Sequence, residues 1–387
     1  MDSSSSALKG NKNGLLVATL LVLTALISSF STRAYITKSA GTPDLSQEYL
    51  YFQRYQQTDR YKQNPKYLDS NPFDIDTTYH RLIKAFPYTK TPGGIPKNIF
   101  QMWISPEPVP ENDLPYPDFR KTWKEQNPDH NYTVLSWEAV RDAAKEAFET
   151  TVPEVWEVLE SMPLVILRSD FSRYLMLYLN GGVWADLDTG CDRPISKWFH
   201  NTIDSDIRFV GSVEHDLNSE RWPSLTSRRL QFENWAFTSD NFHPALAMVI
   251  AHVVRMHFII MYEGHLDMYT KEDGGGNSCH KISVIDWTGP GIFSDGIYRY
   301  MNTAEKRVFQ DMDFDRYNSD ETLVGPGTGE KINWRGFSGL VAPVVFNNDV
   351  CILPKSGFRC KNDFDESLEE YCYLTHYFSH SWFKEVD

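Results

Sequence analysis

The stretch Arg168-Ser-Asp-Phe-Ser-Arg-Tyr-Leu-Met-Leu-Tyr-Leu-Asn-Gly-Gly-Val-Trp-Ala-Asp-Leu-Asp188 decides how the chain is read. Leu164, Ile166, Leu167, Phe171, Tyr174, Leu175 and Tyr178 recur at helical spacing, which predicts an amphipathic helix with that stripe in the core. Gly181-Gly182 suits the left-handed turn that ends a helix. Val183 to Leu187 then alternates as a buried strand does. Side chains along a strand repeat every two residues, so Asp186 and Asp188 are expected on one face at its end. Two hard oxygen ligands there suit Mn²⁺ or Mg²⁺ beside a diphosphate, with open positions for phosphate oxygens and water.

An isolated Asp-x-Asp is common on surface loops and carries little. The residues upstream add weight. Asp170 and Arg173 lie one helical turn apart and face the same way, giving Asp-x-x-Arg…Gly-Gly-x-x-x-Asp-x-Asp. The competing reading of Asp170 and Arg173 is an exposed helix ion pair, worth little.

Working outward, Ile95 to Trp103 and Asn127 to Trp137 are two further blocks, and the family likeness given below implies that they are a first and a second strand. Ile207 to Val213, Val341 to Phe346 and Val350 to Leu353 read as later strands, and His243 to Tyr262 as a long helix. Alternating strands and helices predict an α/β domain with a mostly parallel mixed sheet. Ligands in such sheets gather at the carboxyl ends of strands, where Trp103 and Asp188 fall. Gly274-Gly-Gly276 and Gly325 to Gly329 lack the strand-to-helix context and the lysine of a phosphate loop, so they read as connections or lids.

Several blocks carry a family likeness. They are the Asp170 to Asp188 motif, Ile95-Pro-Lys-Asn-Ile-Phe-Gln-Met-Trp103, Arg228-Arg-Leu-Gln-Phe-Glu-Asn-Trp235, His243-Pro244, Asp286-Trp-Thr-Gly-Pro-Gly-Ile-Phe293 and the terminal His376…Ser381-Trp382. In this order they resemble glycosyltransferase family 32, in its fungal initiation-specific alpha-1,6-mannosyltransferase-like subfamily. The likeness runs from about Ile95 to Lys384. The chain departs from the subfamily at Phe242 and His380, where glycine is usual, which bears on the acceptor rather than on the donor.

The resemblance implies a GT-A-type fold and a retaining transfer of mannose from GDP-mannose to a mannosyl glycan acceptor, dependent on Mn²⁺ (or Mg²⁺). It implies Asp186, Asp188 and His376 as metal ligands, with Asp188 the more direct of the two carboxylates. Trp103 would stack on the base; its alternative is a core residue. Asp170 and Arg173 would grip the sugar and phosphate with help from Arg168, whose alternative is a solvent-facing side chain. Ser381 and Trp382 would donate to the leaving diphosphate. Gln231 and Trp235 would meet the acceptor, and Asp286 would be a base or a hydrogen-bond partner. Other family 32 readings are a different sugar nucleotide, a sphingolipid acceptor, or an inactive glycan-binding relative.

Composition agrees with a folded carbohydrate enzyme. The chain has 387 residues, 41% hydrophobic and 14% aromatic, with 11 Trp and 20 Tyr, enough for a large core. A net charge of −14 argues against a nucleic-acid surface, which needs basic stripes.

Residues 13–32 carry no charge and would span about 30 Å as a helix, matching a bilayer core. Two readings stand: an uncleaved signal anchor, or a signal peptide cut near Ser31. The first, with the family likeness, implies a 1–12 cytoplasmic tail, a 33–94 stem rich in Gln, Tyr, Asn and Pro, and a lumenal catalytic domain over 95–387. It also implies a single-pass type II protein of the Golgi membrane and a place in a mannosyltransferase complex.

Cysteines stand at 191, 279, 351, 360 and 372, with no Cys-x-x-Cys pair to suggest zinc. In an oxidising lumen the C-terminal trio is the best source of a disulfide. Asn131-Tyr-Thr133 is an N-glycosylation sequon.

Overall fold

The computed structural model describes residues 71–198, 206–217, 219, 221–222, 225–263, 284–304, 332–360 and 371–378. The expected membrane span, the two glycine clusters, Cys279, Ser381 and Trp382 lie outside these residues.

The central sheet is mixed. Its order is β2 (Asn131–Leu135), β1 (Asn98–Met102), β3 (Gly182–Ala185), β7 (Ala236–Ser239), β5 (Phe209–Asp216), β9 (Val350–Leu353) and β8 (Val344–Phe346), with β6 (Leu230–Phe232) paired to β5. The pairings β1–β2, β1–β3 and β5–β9 are parallel and the others antiparallel. Followed across the sheet, β1, β2, β3, β5 and β9 run one way and β6, β7 and β8 the other, so the sheet is mostly parallel in direction. A separate two-stranded ribbon pairs β4 (Thr189–Cys191) with β10 (Leu374–His376).

Strand alternation divides the apolar side chains between two cores. Trp184 faces one, while Val183 and Ala185 face the other. The larger core takes the helices α3 (Trp137–Phe148), α4 (Pro153–Ser161), α5 (Val165–Asn180), α6 (Pro244–Glu263) and α8 (Pro290–Ala304). The smaller one holds Ile99, Val183, Val210 and Leu353 from the sheet, Trp123 from α2 (Pro117–Gln126), and Cys191 and Leu374 from the ribbon. By length and composition α6 could cross a membrane. Residues Ala245 to Ala251 within it are buried, so it is a core helix.

The turn that aims the site depends on its glycines. Gly181 has φ +63° and Gly182 φ +116°, and a Cβ on Gly182 would lie 2.5 Å from the Asn98 carbonyl oxygen of β1. Only glycine allows the chain to leave α5 and enter the sheet so close to its neighbour.

The structure moves the domain boundary. Residues 71–94 read as stem by composition, yet α1 (Ile75–Ala85) buries Ile75, Thr78, Tyr79 and Leu82. Asp74 caps it, accepting from the Asp76 and Thr77 backbone amides. Phe73, Ile75, Tyr79 and Leu82 belong to the larger core. Thr91 is tied down as well, its backbone N–H and its hydroxyl both meeting the Asp240 carboxylate, at 2.9 and 2.5 Å. Three apolar side chains at helical spacing, with Phe73 just before the cap, outweigh the polar average of the segment.

Cys360 and Cys372 form a disulfide, from the trio expected to supply one. Cys191 and Cys351 are buried free thiols.

Candidate active site

Helix α5 places Asp170 and Arg173 where β3 ends. The strand stops at Ala185, and Asp186 to Asp188 form a turn closed by the Thr189 N–H on the Asp186 carbonyl at 3.1 Å. The two carboxylates are therefore not alternate residues of one strand, as periodicity predicted. The turn reverses the chain into β4, and each carboxylate finds its own partners.

Asp170 and Arg173 are 4% and 3% exposed, far from a surface ion pair. One Arg173 guanidinium nitrogen, Nη2, lies 2.8 Å from Asp170 Oδ1 and 3.5 Å from Asp186 Oδ1. Its Nη1 donates to the Asn234 carbonyl at 2.8 Å. Asp186 accepts from the Trp184 indole N–H at 3.0 Å, and its own backbone N–H donates to the Trp235 carbonyl at 2.8 Å. Asp170 accepts from the Thr288 hydroxyl at 3.0 Å. Tyr174 closes this network, donating to the Thr288 carbonyl at 2.7 Å and accepting from the Asn234 amide at 2.9 Å.

The electrostatics follow from burial. Desolvation pushes the Asp170 carboxyl up to about 6, against the pull of Arg173. Asp186 is also raised, by burial first and by the Asp188 charge in addition. Burial pulls Arg173 down, but the Asp186 and Asp170 carboxylates outweigh it and its value rises. Three carboxylates stand against one guanidinium. Such an excess of buried negative charge suits a divalent cation.

On the far side of the turn, His376 Nε2 lies 3.1 Å from Asp188 Oδ1. Trp235 stacks on the His376 ring at 4.3 Å between centroids. The expected three-ligand set is not preformed: no cluster of three metal-ligating side chains occurs among the described residues. His376 engages Asp188 directly and orients it. Two carboxylates with hard oxygens still fit a small divalent ion, since Mg²⁺-type sites take one or two carboxylates and fill the rest with phosphate oxygens and water.

The remaining expected residues divide. Trp103 follows β1 directly, its N–H on the Leu135 carbonyl at 3.1 Å, and it belongs to neither core. Gln101, two residues earlier, donates to the Asp186 carbonyl at 3.0 Å, which ties that strand end to the site. Arg168 turns away. Its Nε donates to the Met162 carbonyl at 2.9 Å and its guanidinium sits over the Trp137 ring, because position 168 projects from the opposite side of α5. Gln231 is buried and donates to Glu214 at 2.7 Å. Trp235 is buried, its ring a support for His376. Asp286, in the short helix α7 (Val284–Trp287), is held by Arg228 at 2.8 Å and by the Ser227 hydroxyl.

Sequence reading assigned no role to Asn234, Thr288 or Tyr174, though all three fall in quoted blocks. Asn234 and Thr288 sit in the Arg228–Trp235 and Asp286–Phe293 segments, where an uncharged polar residue amid aromatics was the available signal. Glu233 was also passed over. It is fully buried, and desolvation, with Glu214 adding to it, raises its carboxyl far above the usual range.

Comparison with known proteins agrees with this geometry. Residues 117–206 match the family model of the glycosyltransferase sugar-binding region containing the DXD motif. An initiation-specific alpha-1,6-mannosyltransferase of Candida albicans is 30% identical over 320 residues, covering 80% of this chain and 77% of that one. One of the same description from Saccharomyces cerevisiae is 25% identical, covering 79% and 82%. Inositol phosphoceramide mannosyltransferase 3 of Schizosaccharomyces pombe is 32% identical over 126 residues, covering 33% and 32%. Fold, site and likeness together define a glycosyltransferase. The chain belongs to the DXD-containing family of the initiation-specific alpha-1,6-mannosyltransferases.

Proposed function

We propose that the chain moves mannose from GDP-mannose to a mannose-containing N-glycan acceptor, forming an alpha-1,6 linkage with retention of configuration on a GT-A-type scaffold. The observation that carries this reading is the buried Arg173 shared between Asp170 and Asp186, one turn from Asp188. It provides a cationic contact for a phosphate or sugar oxygen within an acidic pocket that favours a divalent ion. Similarity to two alpha-1,6-mannosyltransferases, over about four fifths of this chain, supports the choice of sugar and linkage.

Asp186 and Asp188 would hold Mn²⁺ (or Mg²⁺), which when bound would neutralise the diphosphate. Trp103, outside both cores at a strand's carboxyl end, would stack on the guanine. Asp170 and Arg173 would hold the sugar, with Thr288 and Asn234 fixing their positions. Ser381 and Trp382 are proposed donors to the leaving diphosphate. The acceptor hydroxyl oxygen would form its bond to the anomeric carbon on the face from which GDP departs with the electron pair of the broken C–O bond, and the departing diphosphate oxygen would take the hydroxyl proton. Asp286, bound by Arg228 and the Ser227 hydroxyl, is better suited to holding the 227–228 segment than to taking the acceptor's proton. The protein would be a Golgi type II membrane protein anchored by residues 13–32, with its lumenal domain beginning near residue 71.

The test is to incubate the purified chain with GDP-mannose, UDP-glucose and UDP-galactose and alpha-mannosides, and to read products by mass spectrometry. The reading expects hexose addition from GDP-mannose, with a new alpha-1,6 linkage. Transfer from a UDP-sugar alone would remove the mannosyl assignment.

A further inference from the structure

Three aromatic rings form a ladder beside the carboxylate turn. Phe119 and Tyr377 stack with centroids 3.8 Å apart and planes within 11°, and Tyr116 stacks on Phe119 at 5.8 Å and 10°. None of the three belongs to either hydrophobic core. Tyr377 is 44% exposed at its end of the ladder. Stacked aromatic rings outside the core, with Tyr377 partly exposed, present apolar ring surface of negative electrostatic potential.

The ladder is attached to the site at several points. Tyr377 follows His376, and its N–H donates to the Asp188 carbonyl at 3.1 Å. Its ring lies over Gly190, the pairing partner of Thr375. From the other side, α2 grips the same strand: the Trp123 indole donates to the Thr189 carbonyl at 2.9 Å, and the Thr122 hydroxyl accepts from Cys191 N–H at 2.8 Å. Phe119 and Tyr116 are thereby fixed relative to Asp188.

The end of the ladder is held in a strained shape. Tyr116, the residue before α2, has φ +56° and ψ +50°, left-handed backbone that a bulky aromatic residue rarely adopts. Arg120, 5% exposed, donates to the Leu114 carbonyl at 3.0 Å and the Pro115 carbonyl at 3.1 Å, and so fixes the turn that imposes it. Strain enforced by a buried arginine, with a ring as its product, points to a use for that ring.

We propose that Tyr116, Phe119 and Tyr377 form a stacking platform for the pyranose rings of the acceptor glycan, an inference that rests on the glycosyl-transfer reading above. A pyranose face presents C–H bonds that favour an aromatic face. The position selects the acceptor over the nucleotide. Trp103 stands at the Asp186 side of the turn, next to the strand end that Gln101 ties to Asp186, whereas the ladder stands at the Asp188 side. The two aromatic surfaces are thus tied to the carboxylate turn through different residues, the strand of Trp103 to Asp186 and the ladder to Asp188, which would give one to each substrate.

The test compares the whole chain with Tyr377→Ala, Tyr377→Phe and Tyr116→Gly. Saturation transfer from protein to alpha-mannotriose reads binding without any turnover, and acceptor and sugar-nucleotide KM values are measured separately. Removing a stacked ring should raise the acceptor KM about tenfold and weaken saturation transfer in Tyr377→Ala and Tyr116→Gly. Tyr377→Phe should behave as the parent, and the sugar-nucleotide KM should hold in all three. Tyr116→Gly also relieves the backbone strain, so it should melt no lower than the parent. A rise in sugar-nucleotide KM instead would assign the ladder to the donor, and unchanged mannotriose binding in both ring-deleted variants would remove the platform. If the parent transfers no sugar yet mannotriose binding is lost in those variants, the transfer reading fails while the glycan platform stands.

Discussion

Arg173 shows how far burial changes a residue's role. By family likeness it is a sugar and phosphate contact. In the fold it is enclosed, with Asp170, Asp186 and the Asn234 carbonyl around it. Removing one partner of a buried ion pair leaves an uncompensated charge, typically at about 3–5 kcal/mol. Arg173→Ala should therefore show a large loss of stability in urea unfolding, beyond its effect on transfer; a variant as stable as the parent would contradict the buried pair. Asp170 makes a related prediction through pH. Its folded value of about 6 lies above the ordinary carboxylate value of about 3.9. Between those limits the folded chain keeps a proton that the unfolded chain has released. That contribution to stability is present at low pH and is lost as pH rises through 6. In metal-free buffer, the stability of the parent relative to Asp170→Asn should thus fall from pH 4 to pH 7. A difference that rises with pH would mean that Arg173 outweighs burial.

At the scale of elements, the turn after α7 acts on the site from a distance in sequence. Thr288 reaches Asp170 across 118 positions, and Tyr174 and Asn234 complete the circuit. Thr288→Val keeps the shape and deletes the donor, leaving a buried carboxylate oxygen unsatisfied at a cost of about 1–3 kcal/mol. Turnover should drop roughly tenfold, equivalent to about 1.4 kcal/mol, with Thr288→Ser restoring it. If Thr288→Ser is as impaired as Thr288→Val, the methyl group rather than the hydroxyl matters. This circuit also marks what sequence could convey. Helix α5 and the strand at 350–353 were legible from their own apolar pattern and the helix stop from its paired glycines, whereas the strands at 98–102 and 131–135 were placed by family likeness. The geometry of Asp186 and Asp188 was not, because the strand ends one residue before the motif and a tertiary turn takes over. Of the two readings of Arg168, neither a donor contact nor a solvent-facing side chain matches its place over Trp137: helical spacing sets it opposite Asp170 and Arg173, but does not say which neighbour meets it. Trp235 and Asp286 stand in motif blocks, as do His376 and Arg228, but the pairing of Trp235 with His376 and of Asp286 with Arg228 becomes visible only when the separate segments meet.

For the whole molecule, the consequence of α1 is that the catalytic domain starts before its family motifs do. A chain beginning at residue 95 loses Phe73, Ile75, Tyr79 and Leu82 from the larger core and uncovers α6, which is apolar enough to seek another partner. Each lost side chain is worth about 1.5–3 kcal/mol of burial. That chain should express as aggregate, whereas one beginning at residue 71 should be soluble with a cooperative melt; equal behaviour of the two would restore the stem boundary. Asp170 and Arg173 of α5, the turn after β3 and β10 would together build a metal-dependent sugar-nucleotide site. Calorimetric titration of GDP-mannose into the domain is the decisive measurement, with Mn²⁺ and with EDTA, using the parent and Asp188→Asn. The parent should bind in Mn²⁺, EDTA should abolish that binding and Asp188→Asn should lack it, with an unchanged melting temperature. Equal binding in EDTA, or full binding by Asp188→Asn, would contradict such a site.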